Sequence, residues 1–530
     1  MSNDEIIEAL ELTARLMELH NENPFKTKAV TNAAFKLSKM RYDFTGKSPE
    51  EIESIEGVGK GISAKINELM KNGTTQELEH YKSNTPAGVI EMLGIKGLGP
   101  KKVRQLWLEL QLESVGELLY ACNENRLITL KGFGEKTQEQ VKKNIEFSIA
   151  NSHKFHYASL EKPVQNLINV ITASGVTRAV AVGQMARKCE VIDTLEILMD
   201  GAVDAEAKKL EKQIPLPIRY YHCLPSEFFY KSLELSATAA HLEKIKFNSI
   251  NNADYQSERE VYKALGLQMI EPELREGLRE AELAQNNKLP KLIEVSDLKG
   301  ILHNHSTYSD GVHSLKEMAD YCRELGFEYF GICDHSRTAV YANGLSIERV
   351  QEQWAEIDEL NKQDPNFRIL KGIESDILND GSLDYPEEIL AGFDMVVASV
   401  HSGLKMNEEK ATQRLIKAVE NPYTSILGHP TGRLLLAREG YPINHKKVID
   451  ACAANGVSIE LNAHPYRLDI DWRWIPYCIE KGVLVSINPD AHHREGFHDM
   501  YYGVCAARKG MLAKENCLNA LGLKALLEKL

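Results

Sequence analysis

GILHNHSTYSDG, residues 300–311, decides how the carboxy-terminal part of the chain is read. A short apolar run ends in two histidines, His303 and His305, and Asp310 follows in the polar stretch. Six more segments repeat the arrangement: YFGICDHS (329–336), FRILKGIESD (367–376), MVVASVHS (395–402), TSILGHP (424–430), VSIELNAH (457–464) and VLVSINPDAH (483–492). Helical stretches such as SLKEMADYCREL (314–325) and HKKVIDACAANG (445–456) separate them. Seven apolar strands alternating with helices predict a parallel sheet, most simply closed into a barrel. Catalytic side chains of such barrels gather where strands end. Every polar cluster here falls at the C-terminal end of a predicted strand.

His303 and His305, two apart on one predicted strand, would face the same side and could share an ion. His335, Glu374, His401, His429 and the spaced pair Asp490 and His492 come from the later clusters. Imidazole suits zinc, manganese or iron, and carboxylates can bridge ions. A lone histidine is ordinarily structural. Nine candidate ligands at successive strand ends point instead to a metal site, and all nine are read as catalytic. Arg433 in HPTGR (429–433) and Arg467 in HPYRLD (464–469) could clamp a phosphate bidentately, or equally form surface ion pairs. Arg433 is carried as the catalytic candidate of the two. His464, His493 and His498 are read as supporting or structural, and His313 as surface.

The remainder of the chain sets limits. With 530 residues, three or four domains are expected. The start, MSNDEIIEAL, lacks the basic and apolar regions of a secretory signal, and no apolar run is long enough to span a membrane. Nine scattered cysteines without a CxxC pair suit a reducing cytoplasm. Net charge is −13, of which residues 1–150 carry only −2. Bulk charge therefore advertises no nucleic-acid binder, and any DNA contact must come from local geometry.

Residues 1–150 read as helical with short loops, residues 155–285 as mixed strand and helix, and AQNNKLPKLIEVSDLKG (284–300) as a linker before the barrel at 297–530. Three segments of the first region share Gly-x-Gly followed by a basic stretch and a helix. They are IEGVGKGISAKI (Gly57, Gly59), IKGLGPKKV (Gly97, Gly99, Lys101, Lys102) and LKGFGEKT (Gly132, Gly134). Glycine lets the backbone approach a partner closely, and the following helix start offers free N–H groups to a phosphate. The competing reading is that these glycines only cap preceding helices.

These three segments resemble helix-hairpin-helix motifs, which hold DNA phosphates without reading sequence. NPFKTKAVTNAA (23–34) resembles the small amino-terminal domain of family X DNA polymerases. In that family a lysine after the first hairpin can form a Schiff base with abasic deoxyribose, and Lys65 matches its position. The alternative for Lys65 is a solvated, phosphate-contacting lysine. YQSEREVYKALGLQMIEPELREG (255–277) resembles the end of the family X polymerase domain in bacterial proteins that also carry a polymerase and histidinol phosphatase (PHP) barrel. The family's palm motif aligns with GQMARKCEVIDTLE (183–196). Gly183, Arg187 and Glu190 fit. Gln184 and Ala186 do not, and Thr194 and Glu196 stand at the two metal-binding aspartate positions, with Arg219 at the third. Threonine brings no charge and arginine would repel a cation. Asp193 is one residue off, and Ser236-Ala237 replaces a Thr-Gly turn. An arrangement of metals on Asp193 and Glu196 is the alternative to a lost polymerase site.

The nine barrel ligands match the PHP pattern without a gap. The resemblance implies one ion on His303, His305, Glu374 and Asp490, a second on Glu374, His401 and His429, and a third on Asp310, His335 and His492. The expected protein is multidomain: an all-α helix-hairpin-helix region with fingers-like residues, an α+β degenerate nucleotidyltransferase-like middle domain, and a distorted (β/α)7 PHP barrel. Its expected function is that of a cytoplasmic DNA-repair enzyme, a DNA-binding phosphodiesterase with three divalent ions (zinc, manganese or iron). It would act as a 3′-5′ exonuclease and also at abasic sites, without polymerase activity and without a membrane. Competing readings are an active polymerase with exonuclease, a small-molecule phosphatase, and a DNA scaffold with structural metals. Oligomeric state is not legible.

Overall fold

The seven apolar runs fold into strands Gly300–Ile301, Tyr329–Ile332, Arg368–Asp376, Met395–Ser399, Ile426–Leu427, Ser458–Asn462 and Val485–Asn488. They form one sheet in chain order, every neighbouring pair parallel. The computed structural model describes residues 1, 3–39, 44, 47–55, 57–123, 126–173, 176–201 and 207–530. The strands are apolar on both faces because each face is covered. Outside, helices such as Leu315–Glu324 and His445–Asn455 pack Leu315, Met318, Val448 and Ile449 against Ile301, Phe330, Ile373 and Ile459. Inside, Leu302, Leu370, Met395, Val397 and Ile426 meet Leu518 and Leu526 from the carboxy-terminal segment, which plugs the barrel.

The sheet nearly closes. An isolated parallel bridge joins Asn304 to Ala491, and the His305 N–H donates to the Ala491 carbonyl at 2.8 Å. Lower in the seam, where the first and last strands do not pair directly, the buried Asn519 amide spans them. It accepts from the Ile487 N–H at 2.7 Å and donates to the Gly300 carbonyl at 3.3 Å.

The chain divides into two units, Met1–Ser152 and His153–Leu530. In the first, every element among the described residues is a helix. Each Gly-x-Gly has the same local geometry. Gly57, Gly97 and Gly132 have φ of +88°, +87° and +90°, a region that disfavours other residues. Gly59, Gly99 and Gly134 are the N-caps of Lys60–Asn72, Pro100–Leu110 and Glu135–Asn151, with no side chain to cap them. The glycines therefore begin the following helices rather than closing preceding ones.

In the second unit a three-stranded sheet places Leu195–Met199 between Ala179–Val182, antiparallel to it, and Ile218–His222, parallel. This middle region packs directly on the barrel. Lys509, 3 % exposed, donates to Glu276 at 2.6 Å and to the Arg187 carbonyl at 2.9 Å, Arg508 pairs with Glu273 at 2.9 Å, and His156 stacks on Tyr466 at 4.1 Å. The segment expected to be a linker is part of that packing. Leu292 and Ile293 are buried, and the Ile293 N–H and carbonyl bond to Leu512 and Arg508.

Replacing Asn519 by Leu keeps the volume but leaves the Ile487 N–H and Gly300 carbonyl unsatisfied in the seam. At about 1–3 kcal/mol per buried orphan, the barrel should lose roughly 2–5 kcal/mol, read as a lower urea midpoint.

Candidate metal centre

All nine predicted ligands converge at the C-terminal mouth of the barrel. Three groups of ligand atoms come close enough to hold ions: His305, Asp310, His335 and His492; His303, His305 and Asp490; and His335, Glu374 and His401. His429 joins through Nε2, 3.0 Å from Glu374 Oε1. Glu374 is the hub. Its Oε1 lies 3.3 Å from His303 Nε2 and 3.1 Å from His401 Nε2, and its Oε2 2.9 Å from His335 Nδ1 and 3.7 Å from His305 Nε2. Asp310 Oδ1 is 3.2 Å from His492 Nε2 and 3.7 Å from His335 Nε2. The three groups overlap the implied partition but do not reproduce it: Glu374 is absent from the His303 group, His429 from all three, and His305 and His335 each stand in two.

One expectation needs correction. His303 and His305 do not converge by alternation along a strand, since the strand ends at Ile301. His303 has φ +60° and Asp490 φ +52°, so the backbone turns at both ligands. Non-glycine residues in this region are strained, and such strain is concentrated at functional sites.

The donor set fits divalent cations. His303 Nε2, Asp310 Oδ1, His335 Nδ1 and Glu374 Oε2 are buried and meet only one another and neighbouring candidate ligands, at 2.9–3.7 Å, with no aligned hydrogen bond. Leaving so many polar atoms unsatisfied would be costly unless cations meet them. The protonation pattern agrees. Burial opposes the charge on Glu374 and Asp490, yet the surrounding imidazoles, led by His401 and His303 respectively, hold both carboxyls well below the usual range. Burial also opposes charge on His401, but Glu374 and Asp376 push it up to about 10. His305 is pulled down to about 3 by burial and by His492 and His335.

Carboxylates absent from the sequence reading aim these ligands. Glu460, fully buried, accepts from His303 Nδ1 at 2.6 Å, from the His429 N–H at 2.7 Å and from Asn488 at 2.8 Å. Asp376 lies 2.5 Å from His401 Nδ1. Asp334 accepts from Ser306, Ser309 and Gln353, fixing the loop that carries Asp310. A carboxylate on one ring nitrogen turns the other toward the metal. The available signal was a charged residue inside an apolar run: Glu460 in SIELN, Asp334 in CDHS.

Arg433 is not free to clamp phosphate. Its guanidinium is held by Asp471 at 2.7 Å, by the Arg467 carbonyl at 3.0 Å and by the Leu468 carbonyl. The Arg467 guanidinium lies 4.0 Å from Asp490, and its side chain is 22% exposed. His464, His493 and His498 bond to Tyr466, Gly496 and Tyr321.

In the middle region, Arg187 pairs with Glu276 and donates to the Ser236 carbonyl, while Glu190 lies 3.8 Å from Arg473 of the barrel. Glu196 is opposite Arg219 in the sheet and accepts from Tyr221 at 2.8 Å. Gln184 accepts from the Asp193 N–H. Among the described residues, no group of three or more possible ligands converges there. In the amino-terminal unit Lys65 is not freely solvated, because it is ion-paired with Glu77. Lys101 is exposed, and Lys102 lies 5.4 Å from the Phe133 ring.

Comparison with known proteins agrees with this geometry. Residues 1–75 match a helix-hairpin-helix domain, 89–146 a SAM-like helix-hairpin-helix tandem, and 302–464 the PHP domain. The DNA polymerase/3′-5′ exonuclease PolX of Bacillus subtilis (strain 168) is 34% identical over 99% of this chain and 98% of its own length. The chain belongs to the PolX family. A probable phosphatase of Acetivibrio thermocellus is 32% identical over 36% of this chain and 78% of its own length. The probable phosphatase YcdX of Escherichia coli is 27% identical over 30% of this chain. The PHP domain makes this PolX-family protein a metal-dependent hydrolase. No helix among the described residues is long and apolar enough to cross a membrane.

Glu460→Gln keeps the volume and an acceptor in place, so the barrel should stay folded while His303 loses its charged partner. Metal affinity should fall about 10–100-fold, measured by competition with a chromogenic chelator.

Proposed function

We propose that this PolX-family protein is a cytoplasmic DNA 3′-5′ exonuclease that also acts at abasic sites and has no polymerase activity. The observation that carries the reading is one chain combining a complete nine-ligand cluster with three identically built glycine hairpins. A phosphatase of small esters has no use for the hairpins, and a scaffold has no use for buried, unsatisfied ligands. Three divalent ions of zinc, manganese or iron would rest on the groups centred on Asp490, Glu374 and Asp310. When bound, they supply water activation and charge neutralisation at phosphate. The chain's own contribution is positional. Glu460, Asp376 and Asp334 orient the ligands, and Arg467 stands ready to meet a phosphate oxygen.

Loss of polymerase activity is supported by Thr194 and Arg219, by the engagement of the Arg187 guanidinium with Glu276 and the Ser236 carbonyl, and by the approach of Glu190 to Arg473 of the barrel. Glu196 is engaged by Tyr221 instead of converging with other carboxylates. Lyase chemistry at Lys65 is disfavoured by its Glu77 partner, which must be displaced before the amine reaches an aldehyde.

A gel assay on end-labelled primer–template DNA with manganese is decisive. We expect shortening from the 3′ end and no extension when all four nucleotides are added. His401→Ala should reduce shortening by at least about 100-fold, since loss of a ligand misplaces the nucleophile. Extension that vanishes in Glu196→Ala would show a working metal site in the middle domain.

DNA affinity should depend on the open backbone of the hairpins and fall with salt, with little sequence preference. Gly99→Val separates this from folding. Gly99 has an ordinary φ of −75°, and an added Cβ meets nothing within 4 Å, so valine fits the protein while obstructing a phosphate. Binding to unrelated duplexes should weaken several-fold with little change in melting temperature; equal affinity would remove this hairpin from the mechanism.

A further inference from the structure

Two neighbouring apolar side chains stand in water beside the metal centre. Val340 is 82% exposed and Tyr341 71% exposed, on the loop between the CDHS strand end and helix Ile347–Gln363. The Tyr341 ring centre lies 6.1 Å from that of the ligand His335. The loop is anchored on both sides of the pair. Ala339 and Ala342 are buried, the Leu345 N–H donates to the His335 carbonyl at 2.9 Å, and Asn343 donates to the Tyr308 and Ser309 carbonyls. Arg349 in turn donates to the Asn343 carbonyl at 2.9 Å. Two exposed residues between two buried alanines form a held fin, not a loose tip.

The phenol leans over the cluster. Its ring centre, 6.1 Å from that of His335, sets it beside a candidate ligand at the mouth.

We propose that Tyr341, supported by Val340, stacks on the base of the terminal nucleotide whose phosphate occupies the metal centre, and so selects nucleic-acid ends over simple phosphate esters. A base is joined to its phosphate through one sugar, so a ring one imidazole away from the cluster is within reach. Every base presents a π face, so stacking on an aromatic ring tolerates any sequence. This matches hairpins that hold phosphates without reading bases. The cluster alone would serve any phosphate ester, whereas an exposed aromatic ring beside it rewards a substrate that brings its own ring. The inference rests on the nuclease reading above.

The test compares initial rates on two labelled strands, identical except that one ends in a normal nucleotide and the other in a tetrahydrofuran abasic residue. Both are measured at subsaturating DNA with manganese, and metal content is checked for each protein. The wild type should prefer the base-bearing end by about 5- to 100-fold, the range one base stack supplies. Tyr341→Ala should bring the ratio of the two rates close to one, and Tyr341→Phe should preserve it. A ratio unchanged in Tyr341→Ala, or a wild type that cuts both ends equally well, would overturn the stacking role while leaving the nuclease reading intact. A wild type that cuts neither strand yet hydrolyses a small phosphate monoester would overturn both.

Discussion

Burying the Glu374 carboxylate among five imidazoles is the constraint from which the barrel's architecture follows. His303, His305, His335, His401 and His429 all bring a ring nitrogen within 3.7 Å of it. Such a charge cannot be carried into an apolar interior without compensation, since the desolvation cost is several kcal/mol per ion. The strand ends must therefore meet around one point, and the sheet must curl until its first and last strands nearly touch. The plug of Leu518, Asn519 and Leu526 fills the space that this curling leaves below the mouth.

The carboxylates behind the ligands complete the same balance. Glu460, Asp376 and Asp334 each hold donors that would otherwise be free to rotate. Their negative charge raises the cation affinity of the mouth and fixes ring orientation. The backbone turns at His303 and Asp490 are tolerated because both residues are held from several sides.

In the middle region the residues of the aligned motif are engaged in ion pairs and hydrogen bonds. Arg187 and Glu190 keep their places in the aligned pattern, but their partners are now Glu276 and Arg473. Lys509 of the barrel, buried, pairs with the same Glu276 and so ties this region to the barrel. Removing Glu276 would leave the buried Lys509 ammonium without its carboxylate partner, a costly change.

What the sequence by itself determined was local and periodic. The seven apolar runs, the nine ligands at their ends and the three glycine pairs are all written within a few residues of one another, and short-range backbone geometry translates them directly. The structure decided what depends on distant partners. Glu460 reaches His303 from 157 residues away, and Arg187 meets Glu276 from 89. Arg433 looked like a phosphate clamp because nothing nearby in sequence reveals that Asp471 and two carbonyls of the next loop take its donors. Lys65 looked solvated because Glu77 lies on the following helix. Tyr341 carried no signal, since an aromatic residue in a loop is equally compatible with burial. Only the folded chain, by burying Ala339 and Ala342 on either side, leaves that ring no place but the water above the metal centre.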